Sequence, residues 1–65
     1  MRIILNGETC EVIHNHLDQI LIERGYESLA IVTALNSTFV TLEQRTQTRL
    51  FEDDRLEVLS PISGG

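Results

Sequence analysis

The sequence predicts an α+β fold: a mixed β-sheet with one main helix packed on one face and a flexible, extended C-terminal tail. Three observations predict it. Short apolar or alternating runs lie near both ends and in the middle, one segment carries apolar residues at helical spacing, and the closing Ser60-Pro61-Ile62-Ser63-Gly64-Gly65 fits neither pattern. We divide the chain into a folded body, 1–60, and a tail, 61–65.

Arg2 to Leu5 reads as a strand. Asn6-Gly7 is the dipeptide that best tolerates the positive φ angles of a two-residue hairpin turn, so Glu8 to Val12 returns as an antiparallel partner. Leu17, Ile20, Leu21 and Arg24 then recur at helical spacing. Asn15 or His16 stands at the N-cap, Asp18 falls in the first turn and Gly25 supplies the stop, which gives a short amphipathic helix from Leu17 to Arg24.

Leu29 to Leu35 is apolar and β-branched enough for a buried central strand, followed by a turn at Asn36-Ser37 and a short extended piece, Thr38-Phe39-Val40. Gln44 to Arg49 is polar and reads as irregular. Leu50-Phe51 offers apolar contacts before the acidic turn Glu52-Asp53-Asp54, after which Leu56 and Val58 alternate around Glu57 as in a half-buried strand.

One helix covers only one face of a sheet, so Leu17, Ile20 and Leu21 are expected against Ile3, Leu5, Val32, Leu56 and Val58. The first and last strands then lie side by side in the centre, which is the β-grasp arrangement. It holds the base of the tail rigid while Ser60 to Gly65 projects. Six residues at about 3.3 to 3.6 Å each reach roughly 20 Å, enough to cross a partner's surface into a buried site.

Composition narrows the function. The chain has 65 residues, so it forms one domain with a small core and little room for an internal active site. Ten acidic against five basic residues give a net charge of −5, which repels phosphate backbones, excludes nucleic acid as the expected partner and favours basic proteins. The single cysteine, Cys10, excludes an intramolecular disulfide and fits a reducing, cytoplasmic setting. No signal-like segment and no membrane-length apolar run is read.

The closing glycine pair carries the chemistry. Without β-carbons, Gly64 and Gly65 can enter a channel too narrow for any side chain. Pro61 favours an extended approach, with Ile62 and Ser63 leading to the pair. A terminal carboxylate is a poor acyl donor until its oxygen becomes a good leaving group; ATP-dependent adenylation achieves this, and no phosphate-binding loop is read in this chain. ATP is therefore expected to be consumed by a partner enzyme. The protein itself is read as a co-substrate with no catalytic residue and no bound cofactor.

Other reactive residues have plainer readings. Cys10, His14 and His16 lack a fourth metal ligand at usual spacing, and a Cys-His nucleophile needs an orienting group and a pocket. Glu52, Asp53 and Asp54 read as an acidic surface turn, able to meet basic groups on an activating enzyme. Phe39, Leu59 and Ile62 are candidates for an apolar partner surface, because the sheet face opposite the helix has no second layer.

The opening Ile3-Ile4-Leu5-Asn6-Gly7-Glu8, the middle Thr33-Ala34-Leu35-Asn36 with Phe39-Val40, and the ending Leu56 to Gly65 together resemble the sulfur carrier family of thiamine biosynthesis. The likeness spans nearly the whole chain. It implies a ubiquitin-like β-grasp fold and a Gly65 that is adenylated by a dedicated ATP-dependent adenylyltransferase and converted to a thiocarboxylate. It further implies that sulfur drawn from cysteine by a desulfurase passes to thiazole synthase for the thiazole ring of thiamine, with Gly64 as the slender neck. Thr41, Leu42 and Arg45 stand where the family commonly has a proline, an arginine and a tryptophan; Asp53-Asp54 replaces a usual glycine-aspartate turn.

Three alternatives remain open on sequence. The small subunit of molybdopterin synthase is also a β-grasp carrier ending in Gly-Gly, though generally longer. A ubiquitin-like protein modifier would join Gly65 to lysine. A non-catalytic binding module would use the sheet edge or acidic face, the tail being incidental.

Overall fold

Strand β1, Arg2–Leu5, and strand β2, Glu8–Glu11, form an antiparallel hairpin in the computed structural model, which describes residues 1–26 and 30–60. The connecting Asn6 and Gly7 have φ angles of 49° and 85°. Positive values at both central residues are what a twisted two-residue hairpin demands. The pairing continues past β2, since the Val12 N–H donates to Met1 O at 2.8 Å.

Helix α1, Leu17–Glu23, buries Leu17, Ile20 and Leu21 as its spacing requires. His16 occupies the N-cap without a side-chain cap bond; the free Leu17 N–H instead donates to Thr48 O at 2.8 Å. Arg24 is the C-cap, and Gly25 follows at φ 88°. The Gly25 N–H donates to Ile22 O and the Tyr26 N–H to Leu21 O, the paired bonds of a glycine-terminated helix end.

Strand β3, Val32–Leu35, turns through Asn36 and Ser37, at φ 49° and 71°, into β4, Thr38–Val40. The last strand, β5, is Arg55–Leu59. The sheet order is β2-β1-β5-β3-β4, with β5 parallel to β1 and antiparallel to β3. First and last strands are therefore neighbours, and β5 holds the centre.

Two expectations for the middle of the chain are corrected. The strand there is shorter than Leu29 to Leu35, lies one place from the sheet edge, and is covered on one face only; Leu29 itself lies outside the described residues. Alternation sends Ile31 and Thr33 inward and leaves Val32 45% exposed, so Val32 does not pack under the helix. Leu5 is only partly buried, at the margin of the core.

The segment read as irregular, Gln44 to Arg49, overlaps a 3₁₀ helix, Leu42–Gln47. Its polar surface hid it from a search for apolar period. The Gln44 side chain reaches back to accept the Thr41 N–H at 3.0 Å, and Arg45 turns inward, 6% exposed. Arg45 Nη2 donates to Ile31 O at 2.7 Å and its Nε to Thr33 Oγ1 at 3.3 Å, while that hydroxyl donates to Val40 O at 2.8 Å.

Ile3, Leu17, Ile20, Leu50 and Leu56 are all but fully buried and form the centre of the core between helix and sheet. Each such side chain contributes about 1.5 to 3 kcal/mol on leaving water. Leu50 thus makes the expected contacts. Its neighbour Phe51 does not, since it is 61% exposed with the Arg49 guanidinium 5.5 Å from its ring centre.

Candidate functional site: the outer sheet face and the base of the tail

The register of the strands decides which residues share the face away from the helix. Val32 opposes Leu59, and Ala34 opposes Glu57 on one side and Phe39 on the other. Because residues two apart share a face, Val32, Ala34, Phe39 and Leu59 lie on one surface across β5, β3 and β4. Phe39 is 60% and Leu59 65% exposed. The structure brings two of the three candidate partner-surface residues, Phe39 and Leu59, together and adds Val32, expected from sequence to lie inside; Ile62 lies outside the described residues.

Ile4 opposes Arg55 on the same face. A groove alongside β5 is lined there by Ile4, Asn6, Arg55, Glu57 and Leu59. The surface is apolar near β4 and the chain exit, and carries one charge of each sign farther down β5. Such a layout suits a protein partner, with an apolar centre and a charged rim.

β5 leads directly to Ser60, the last described residue. The base of the tail is fixed from two sides. On one side Thr33 and Val32 pair with Val58 and Leu59. On the other, the Asn6 side chain accepts the Val58 N–H at 2.8 Å and donates to Val58 O at 3.2 Å. Turn chemistry had marked Asn6 in the sequence, but not this long-range role. The candidate residues Pro61, Ile62, Ser63, Gly64 and Gly65 lie outside the described residues.

The acidic turn serves the fold. Arg2 Nε donates to Asp53 Oδ1 at 2.8 Å and Nη2 to Oδ2 at 3.2 Å, while the Arg2 backbone N–H donates to Glu52 Oε2. The Arg2 hydrogen bond and charge hold the Asp53 carboxyl below its usual range, and the Asp53 hydrogen bond and charge in turn raise the Arg2 guanidinium. Asp54 accepts the Phe51 N–H and an Asn36 Nδ2 hydrogen. Asn36 Oδ1 also accepts the Arg55 N–H at 2.9 Å, so an asparagine from each hairpin turn grips β5.

Cys10, His14 and His16 are not gathered into one group. Cys10 packs partly buried against the core, His16 Nδ1 lies 2.9 Å from Asn15 Oδ1, and His14 Nδ1 lies 2.8 Å from Glu23 Oε1. Among the described residues no three His, Cys, Asp or Glu side chains are placed to hold a metal ion. No described helix is long and apolar enough to cross a membrane.

A five-stranded mixed sheet with one helix on it, and with adjacent first and last strands, defines a β-grasp protein. The fold matches the crystal structure of the thiamine biosynthesis protein ThiS from Geobacter metallireducens with a TM-score of 0.82, at 20% identity and covering 100% of both chains. No curated protein matches the chain. The ThiS family model matches residues 2–65, and the chain belongs to the ThiS family. The resemblance read from its opening, middle and closing motifs is thereby borne out.

Proposed function

We propose that this protein is the sulfur carrier of thiamine biosynthesis and that Gly65 is the residue modified. The observation that carries this reading is the family match, which runs through Gly64-Gly65 and so takes in the tail together with the body. The body supplies a rigid base in the sheet centre and an apolar outer face. Phe39, Leu59 and Val32 form the surface on which a partner enzyme docks.

In the proposed cycle a Gly65 carboxylate oxygen attacks the α-phosphorus of ATP on the adenylyltransferase, forming the acyl adenylate and releasing pyrophosphate. A hydrosulfide-level sulfur nucleophile then attacks the carbonyl carbon; AMP leaves with the bonding pair and the sulfur loses its proton to solvent. The product is a thiocarboxylate. A cysteine desulfurase supplies the sulfur in this reading as a persulfide, which a thiol reductant brings to hydrosulfide level while itself being oxidised to a disulfide, and thiazole synthase receives the sulfur from the carrier. The carrier contributes no catalytic group, and Pro61 to Gly64 serve only to pass the terminus into each enzyme.

Intact mass spectrometry tests this directly. After incubation with ATP, the adenylyltransferase and sodium sulfide, the expected product has one oxygen replaced by sulfur, located by fragmentation to Gly65. A chain shortened by Gly65 should remain unmodified. An unmodified full-length chain, under conditions where another ThiS-family carrier reacts, would remove the proposal.

A further inference from the structure

We propose that Asn6 is a positioning residue for acyl activation, acting through Val58 to aim the chain that leads to Gly65; this rests on the carrier role above. The main-chain pairing of β1 with β5 is short, at Ile4 with Arg55 and Leu5 with Leu56. At Asn6 the backbone turns away with φ 49°, its own N–H making a last bond to Leu56 O at 2.9 Å. The next rung of a parallel ladder would take the Val58 N–H to a main-chain carbonyl. Here the Asn6 side chain supplies it.

A primary amide has the same donor and acceptor as a peptide group, and Asn6 uses both on Val58. Aspartate would keep the acceptor and lose the donor. Glycine would keep the turn, since it accepts positive φ freely, and lose both bonds. Val58 stands two residues before Ser60, and its side chain is anchored in the core, 4% exposed. The amide thus fixes the backbone of β5 on the side that β1 has vacated, at the point from which the tail departs.

Fixing that direction lowers the ordering cost of threading the tail once the outer face has docked. Losing it should reduce the share of docked complexes that react, which lowers kcat. Mere destabilisation would act differently, because a smaller folded fraction raises the apparent KM and leaves kcat unchanged.

Asn6→Gly and Asn6→Asp, made in the full chain, separate these outcomes. Amide exchange followed by NMR should show Val58 exchanging about tenfold faster in Asn6→Gly, while Thr33 is unchanged. ATP–pyrophosphate exchange on the adenylyltransferase, with carrier varied, should show kcat falling about tenfold in Asn6→Gly with KM nearly constant. Asn6→Asp, which keeps one bond, should fall between. Unchanged kcat in Asn6→Gly, alone or with a raised KM, overturns the positioning role while the carrier reading stands. Absence of exchange with the wild-type chain overturns both.

Discussion

Glu23, at the end of α1, holds the loop before that helix through His14. Its Oε1 accepts the His14 N–H at 3.0 Å and lies 2.8 Å from His14 Nδ1, while the Ile13 N–H donates to Oε2 at 2.8 Å. One carboxylate at the end of α1 thus satisfies two main-chain donors of the loop that precedes the helix. The His14 backbone bond, followed by its ring and the Ile13 N–H, lowers the Glu23 pKa from 4.5 to about 2 despite the opposing effect of desolvation.

A carboxyl lowered on folding stabilises the native state wherever the unfolded chain would also be ionised, which means fully above about pH 4.5. That contribution is lost as pH falls from about 4.5 towards about 2. Glu23→Gln should therefore destabilise the protein at neutral pH by about 1.5 to 3 kcal/mol, the range for hydrogen bonds to a charged acceptor. The gap from wild type should narrow across the acidic window. Urea titrations at several pH values measure it, and a constant gap would contradict the assignment.

The Arg2–Asp53 pair bears on the departure from the usual glycine-aspartate turn. Asp53 has φ 68°, a left-handed conformation that glycine adopts without strain and aspartate tolerates less well. Its carboxylate offsets this by its two bonds to Arg2. Asp53→Gly alone trades relief of strain for loss of that pair. In an Arg2→Ala background only the relief remains, so the same substitution should raise Tm there, and by more than in wild type. Thermal unfolding of the wild type and the three variants gives the comparison; a larger gain in wild type would contradict it.

Local patterns made much of the fold legible. Asn6-Gly7, the Leu17-Ile20-Leu21 face, Gly25 and the Leu56-Glu57-Val58 alternation each depend on residues close in sequence, and each appears where the sequence puts it. The rest depended on distant partners. Val32 reads as core until its register with Leu59 is known, and the Asn6 side chain meets Val58 across 52 positions. For the candidate site, Phe39 and Leu59 were visible as apolar residues on a sheet with one helix, whereas the asparagine grip had no signal beyond a turn.

Arg45 shows the same limit, and it makes a measurable contribution. Its guanidinium ties the 3₁₀ helix to Ile31 and Thr33 at the start of β3, from a segment where the sequence showed only polar residues. Arg45→Met roughly keeps the aliphatic volume and removes both bonds, leaving Ile31 O without that donor. The expected loss is about 1 to 3 kcal/mol in urea unfolding, with little change in the m-value. Arg45→Ala should cost more, because it also empties buried space. Equal stability of Arg45→Ala and wild type would show that the inward arginine contributes nothing to the fold.

The outer face separates stability from recognition. Leu59 and Phe39 are both more exposed than buried, so a polar replacement gives up little core packing. Leu59→Glu and Phe39→Glu should change unfolding free energy by no more than about 0.5 kcal/mol. If this face docks the adenylyltransferase as proposed, each should weaken that complex by about tenfold or more, since desolvated apolar anchors dominate such contacts. Ile13→Glu is the control: Ile13 is 88% exposed but lies in the loop before α1, where Glu23 holds its N–H. Titration calorimetry with the enzyme should therefore show Ile13→Glu binding like wild type and the two face variants binding weakly. Equal weakening by all three would point to the added negative charge, and no weakening by any would move the docking surface elsewhere on the body.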